Sequence, residues 1–125
     1  MSRAEITLRV LVVDDDEDVL VMMGDALRAR GYEVATARDG REAVDLAESF
    51  EPDVALVDVV LPDVSGITLA SILRGATPHD GSPRIVAYSG SDALKLREAV
   101  DRGLFDDCVV KPATLDRIER AIRAT

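Results

Sequence analysis

The chain is short of several things, and each shortage excludes a class of protein. It has one cysteine, so no internal disulfide can form, and the 125 residues must hold together by burial in a reducing compartment. It has one histidine, His79, inside the turn-rich stretch 75–84 (GATPHDGSPR), and a lone loop histidine reads as solvated and is assigned no role. Positive charge is scarce too: 15 Lys and Arg against 24 Asp and Glu leave a formal net charge of -9, which argues against direct contact with nucleic acid, where clustered Lys and Arg are needed. No apolar run approaches membrane-spanning length and no charged-then-apolar leader opens the chain. A cytoplasmic protein with no membrane contact is expected. Linker composition and fixed-period repeats are also missing. A chain of this length buries roughly two-thirds of its unfolded surface, so one domain over 1–125 is expected.

What is present is a set of short Val-rich runs alternating with helical patterns. RVLVV ends at Asp14 and Asp15, VALV at Asp58, RIVAY at Ser89 and CVV at Lys111. Such runs read as parallel strands buried on both faces, with a further strand over 33–37. Between them, Leu20, Met23 and Leu27 share a helical face that stops at Gly31, and 40–50 reads as a helix with Ala43, Leu46 and Ala47 inward, ended by Pro52. A third helix is expected from Gly66 to about Arg74, followed by a loop over 75–84. Ser91 is placed to cap a fourth, with Ala93, Leu96 and Val100 at helical spacing and a stop at Gly103. Thr114 is placed to cap a fifth, with Leu115, Ile118 and Ile122 inward. Five βα units predict a doubly wound α/β fold with right-handed crossovers and helices on both faces of a parallel sheet.

Ligands of such sheets bind at the carboxyl edge of the strands, where three carboxylates, a hydroxyl and an ammonium would meet. That set suits a hard divalent cation and a phosphate. Asp16, Glu17 and Asp18 are assigned to the N-terminus of the first helix, and Asp14 and Asp15 to the metal.

On these motifs the chain resembles the receiver domain of two-component response regulators, of the chemotaxis-regulator kind. The acidic pair is Asp14 and Asp15; the phosphoacceptor motif is Asp58 followed by Leu61, Pro62 and Gly66; the hydroxyl position is Ser89 with Gly90 behind it; the lysine-proline step is Lys111 and Pro112. The resemblance implies a flavodoxin-like (βα)5 sheet in the order 2-1-3-4-5, and a cis Lys111–Pro112 bond. It implies Mg²⁺ as the only cofactor, held by Asp15, Asp58 and the Val60 carbonyl, with Asp14 on a metal-bound water. Asp58 would take a phosphoryl group from a phosphohistidine on a sensor histidine kinase or histidine phosphotransfer protein. Lys111 and Ser89 would contact the phosphate oxygens. Catalysis would be limited to the domain's own phosphorylation and dephosphorylation, and output would run through an unknown partner protein that senses helix four, strand five and helix five.

One position departs from the family. Three residues before the lysine, where an aromatic is usual, stands Cys108, read as a small inert packing residue. Signal passage is then expected through Ser89 and the loop before helix four. Two other readings compete: a haloacid-dehalogenase-like phosphatase with Asp14 as nucleophile, and a receiver-like binding module that is never phosphorylated. A calcium loop starting at Asp14 fails, since its sixth position is Val19 and its twelfth Asp25.

Overall fold

The Val-rich runs form strands because β-branched side chains suit a pleated surface covered on both sides. A computed structural model describes residues 7–76, 83–90 and 93–123 of the chain. Within them the elements alternate as β1 (Arg9–Val13), α1 (Glu17–Ala29), β2 (Glu33–Ala37), α2 (Gly40–Phe50), β3 (Val54–Val57), α3 (Gly66–Ala76), β4 (Arg84–Ser89), α4 (Ala93–Asp101), β5 (Asp107–Val110) and α5 (Leu115–Arg123). The five strands are parallel in the order β2-β1-β3-β4-β5, as the resemblance implied.

Side-chain alternation divides the core into two layers. Leu11, Val13, Ala55, Val57, Ile85 and Ala87 face one side and meet Ala43, Ala47, Leu69, Leu73 and Leu96 from α2, α3 and α4. Val10, Val12, Leu56, Val86 and Tyr88 face the other and meet Leu20, Met23, Leu27, Ile118 and Ile122 from α1 and α5. Cys108 is buried in the first layer beside Ala87 and Leu96, in keeping with a packing role.

Helix ends follow local chemistry. The Asp16 carboxylate accepts from the amides of Asp18 and Val19, with Glu17 and Asp18 in the first turn, so this acidic run serves the α1 N-terminus. Thr114 Oγ1 accepts from Arg117 N at the start of α5. Gly31 and Gly103 follow α1 and α4 with φ of 98° and 78°, the left-handed region where glycine carries no Cβ penalty. One boundary differs from the sequence expectation. The third helix runs to Ala76, so Gly75 is helical rather than part of the loop. The second helix ends at Phe50 as expected, capped by Glu51 at φ 53° just before Pro52. The Ser91 cap and the loop around His79 lie outside the described residues.

The two ends of the described chain are joined at the α1–β2 junction. Arg30 Nη1 donates to Asp116 at 2.8 Å and Glu119 at 2.7 Å, and the Tyr32 hydroxyl donates to Glu119 Oε2 at 2.6 Å.

Candidate phosphoryl and metal site

Strand register brings the predicted residues together. Val13 pairs with Val57, so the next residues, Asp14 and Asp58, emerge side by side, and Asp58 N donates to Val13 O at 2.9 Å. Ser89 pairs with Val110, and Lys111 N donates to Ser89 O at 2.9 Å, which seats the lysine at the same edge. The Lys111–Pro112 bond is cis.

Ligand oxygens of Asp14, Asp15 and Asp58 lie within 4.8 Å of one another, close enough to share one cation. Asp14 is only 1% exposed and Asp58 8%, whereas Asp15 is exposed. Three hard oxygen donors, two of them desolvated, fit a hard divalent ion, since a cation would offset the cost of holding buried carboxylates together. Lys111 Nζ occupies part of that role, donating to Asp14 Oδ2 at 2.8 Å and approaching Asp58 Oδ2 at 3.4 Å. Asp14 Oδ1 accepts from Asp16 N and Asp58 Oδ1 from Val60 N, at 2.9 and 3.0 Å. Ser89 is buried at the C-terminal end of β4.

The electrostatics follow from this crowding. Burial is the largest influence on Asp58 and raises its carboxyl above the usual range; Asp14 adds to the rise, while the Val60 amide and Lys111 oppose it. Burial works against the Lys111 charge, yet the hydrogen bond to Asp14 and the charges of Asp58 and Asp14 outweigh it, and its pKa is raised. A carboxyl with a raised folded pKa binds its proton better in the fold than in the unfolded chain, so its ionisation costs stability as pH rises past the ordinary carboxylate range. Without divalent ions, Asp58→Asn should therefore melt higher than the wild type near neutral pH, on the order of 2–6 °C. The gap should shrink as pH falls toward about pH 4 and the wild-type carboxyl takes up its proton. Thermal denaturation at the two pH values checks this, and a wild type that melts higher at neutral pH would refute it.

Two contributors went unnoticed in the sequence. Tyr88 lies under the lysine, its ring centroid 4.8 Å from Lys111 Nζ. The only sequence signal for it was strand alternation, which turns Tyr88 to the face opposite Ser89. Asp63, in the loop after Asp58, accepts from Gly40 N and Arg41 N at 2.9 and 3.0 Å and so ties that loop to the α2 N-terminus. Nothing in the local pattern marked it.

A model of the response regulator receiver domain matches residues 10–123. A probable transcriptional regulatory protein of Mycobacterium tuberculosis, TcrX, is 37% identical over 92% of this chain and 48% of its own length. The chain spans about half the length of the curated relatives it matches. Among solved structures, the chemotaxis protein CheY4 of Vibrio cholerae superposes with a TM-score of 0.81 at 28% identity, covering 93% of this chain and 99% of that one. The response regulator TrrA of Thermotoga maritima, solved in complex with Mg(2+)-BeF, gives 0.80 at 26% identity, covering 94% and 97%. A sheet in this order, an acidic edge with a lysine across it, and a family match over nearly the whole chain agree: the chain belongs to the response regulator receiver domain family.

Proposed function

We propose that this receiver is a phosphorylation-controlled switch acting as a single unit over 1–125, with Asp58 as acceptor. One observation carries the reading: an acidic trio at the strand edge with the Lys111 ammonium set against two of its members. An Asp58 oxygen forms a bond to phosphorus as the P–N bond to the donor imidazole breaks, and the imidazole leaves with a proton from solvent. Loss to water reverses the gain: the water oxygen attacks phosphorus, the acyl P–O bond breaks, and carboxylate and inorganic phosphate are released.

Both partners of the first step are negative, so the step needs cations around the transferring group. Mg²⁺, held by Asp15, Asp58 and the Val60 carbonyl and through water by Asp14, would supply charge on one side. Lys111 faces the other side as a point charge, and the Ser89 hydroxyl donates to a phosphate oxygen once the acyl phosphate exists. The donor is a sensor histidine kinase or histidine phosphotransfer protein, the setting is the cytoplasm, and output passes to a partner protein without direct contact of this chain with nucleic acid. No described helix is long and apolar enough to cross a membrane. The dehalogenase-like reading and the unphosphorylated module gain no support from the relatives.

Acetyl phosphate tests the proposal. With Mg²⁺ the chain should gain one hydroxylamine-labile phosphoryl group, and without it almost none. Mg²⁺ alone should raise the melting temperature, by the equivalent of about 1.4 kcal/mol at ten times its Kd, and the rise should largely vanish in Asp15→Asn. A melting temperature indifferent to millimolar Mg²⁺ would count against the metal site.

A further inference from the structure

We infer that Tyr88 is a positioning residue for Lys111, its ring face holding the ammonium at the height where a phosphoryl group on Asp58 would meet it. The inference rests on the reading of Asp58 as acceptor. Lys111 has a long flexible stem and three near neighbours at its tip: Asp14 at 2.8 Å, Asp58 at 3.4 Å and the Tyr88 centroid at 4.8 Å. The two carboxylate contacts are not equal, and Asp14 draws the ammonium away from the acceptor. They are also not permanent, because phosphorylation converts one Asp58 oxygen into the bridging oxygen of an acyl phosphate and moves the negative charge outward.

The ring contact has neither weakness. Attraction between an ammonium and an aromatic face depends on the ring quadrupole, which is unchanged by chemistry at Asp58. The ring is also held in place: Tyr88 is 8% exposed and packs in the layer formed with α1 and α5. Strand alternation completes the arrangement. Ser89 turns toward the α2–α4 face while Tyr88 turns toward the α1–α5 face, so adjacent residues of β4 serve the site from opposite sides of the sheet. In a domain whose strand five carries Cys108 in place of a ring, the aromatic at the site stands on strand four and acts on the lysine.

The test compares Tyr88→Phe, which keeps the ring face, with Tyr88→Leu and Tyr88→Met, which fill similar volume without it. Two readouts are used. In the NMR spectrum the Lys111 side-chain methylene protons should be shifted upfield by the ring in the wild type and Tyr88→Phe, and lose that shift in the Leu and Met variants. Acetyl phosphate labelling with Mg²⁺, measured well below each melting temperature, should slow roughly three- to tenfold in the Leu and Met variants while Tyr88→Phe stays within about twofold of wild type. Rescue by Phe is the outcome a loosened core would not produce. Equal rates in all four proteins, or equal slowing in Phe and Leu, would overturn the inference while leaving the acceptor reading intact. A wild type that takes no label at Asp58 would sink the acceptor reading instead, and an absent ring shift in that same protein would sink the positioning of Lys111 independently.

Discussion

Asp58→Asn will take up no hydroxylamine-labile phosphoryl group from acetyl phosphate, whereas Asp14→Asn will still be labelled, about tenfold more slowly. An amide nitrogen or oxygen cannot form the acyl phosphate, so the first loss is complete rather than graded. Asp14 has a different part: its two oxygens accept from Asp16 N and Lys111 Nζ, which makes it a holder of charge and of the lysine. Removing one charged group of that kind weakens stabilisation of the transferring phosphoryl without removing the bond-forming atom. Phosphoryl uptake by Asp58→Asn together with none by Asp14→Asn would reverse the assignment and favour a nucleophile on strand one. Mass spectrometry of the intact chain, before and after hydroxylamine, separates the outcomes.

The second large effect is expected at a residue with no side chain. A Cβ added at Gly66 would stand 2.6 Å from both the Asp58 carbonyl oxygen and the Val59 Cα. These are backbone atoms and cannot rotate aside as a flexible side chain would. Gly66 N also donates to Val59 O at 2.7 Å, holding the first turn of α3 against the acceptor strand end. Gly66→Ala must therefore push the acceptor loop outward or lift the helix, at a cost of about 1–3 kcal/mol typical of overpacking. A displacement near 1 Å at a reacting group costs on the order of 10²-fold in rate, so labelling should fall by about that factor. Melting temperature and labelling rate measured on one preparation check both parts. Unchanged values would mean the loop yields freely.

Much of this architecture was legible because single residue types punctuate it. Valine runs too short for helices, closed by Asp58 or Lys111, mark strands covered on both faces, and Gly31 and Gly103 end helices through a backbone conformation that other residues avoid. Where that punctuation is weak, a boundary moved. Gly75 costs a helix only about 1 kcal/mol, and the fully buried Leu73 anchors the turn beneath it, so α3 continues to Ala76. Pro52 announced the end of α2, but nothing announced that Glu51 would adopt the left-handed conformation to reach it. The strand order came from family resemblance, because alternation of strands and helices alone allows several orders. At the site, the charged residues were legible from strand ends. Tyr88 and Asp63 were not, because each acts on a partner 23 residues away, and that proximity exists only after the sheet has assembled.

The junction of Arg30 and Tyr32 with Asp116 and Glu119 bears on how the domain folds. Its contacts span 86 to 89 residues of sequence, so they join the first βα unit to the last. Single exposed ion pairs add little, but the Tyr32 to Glu119 hydrogen bond is part-buried and lies beside Ile118, Ala121 and Ile122, whose burial depends on the same helix docking. Closing so long a loop costs entropy that only the complete set of contacts repays. During synthesis, the contacts of Arg30 and Tyr32 must therefore wait for α5 to leave the ribosome, and loss of α5 should loosen both ends of the domain together.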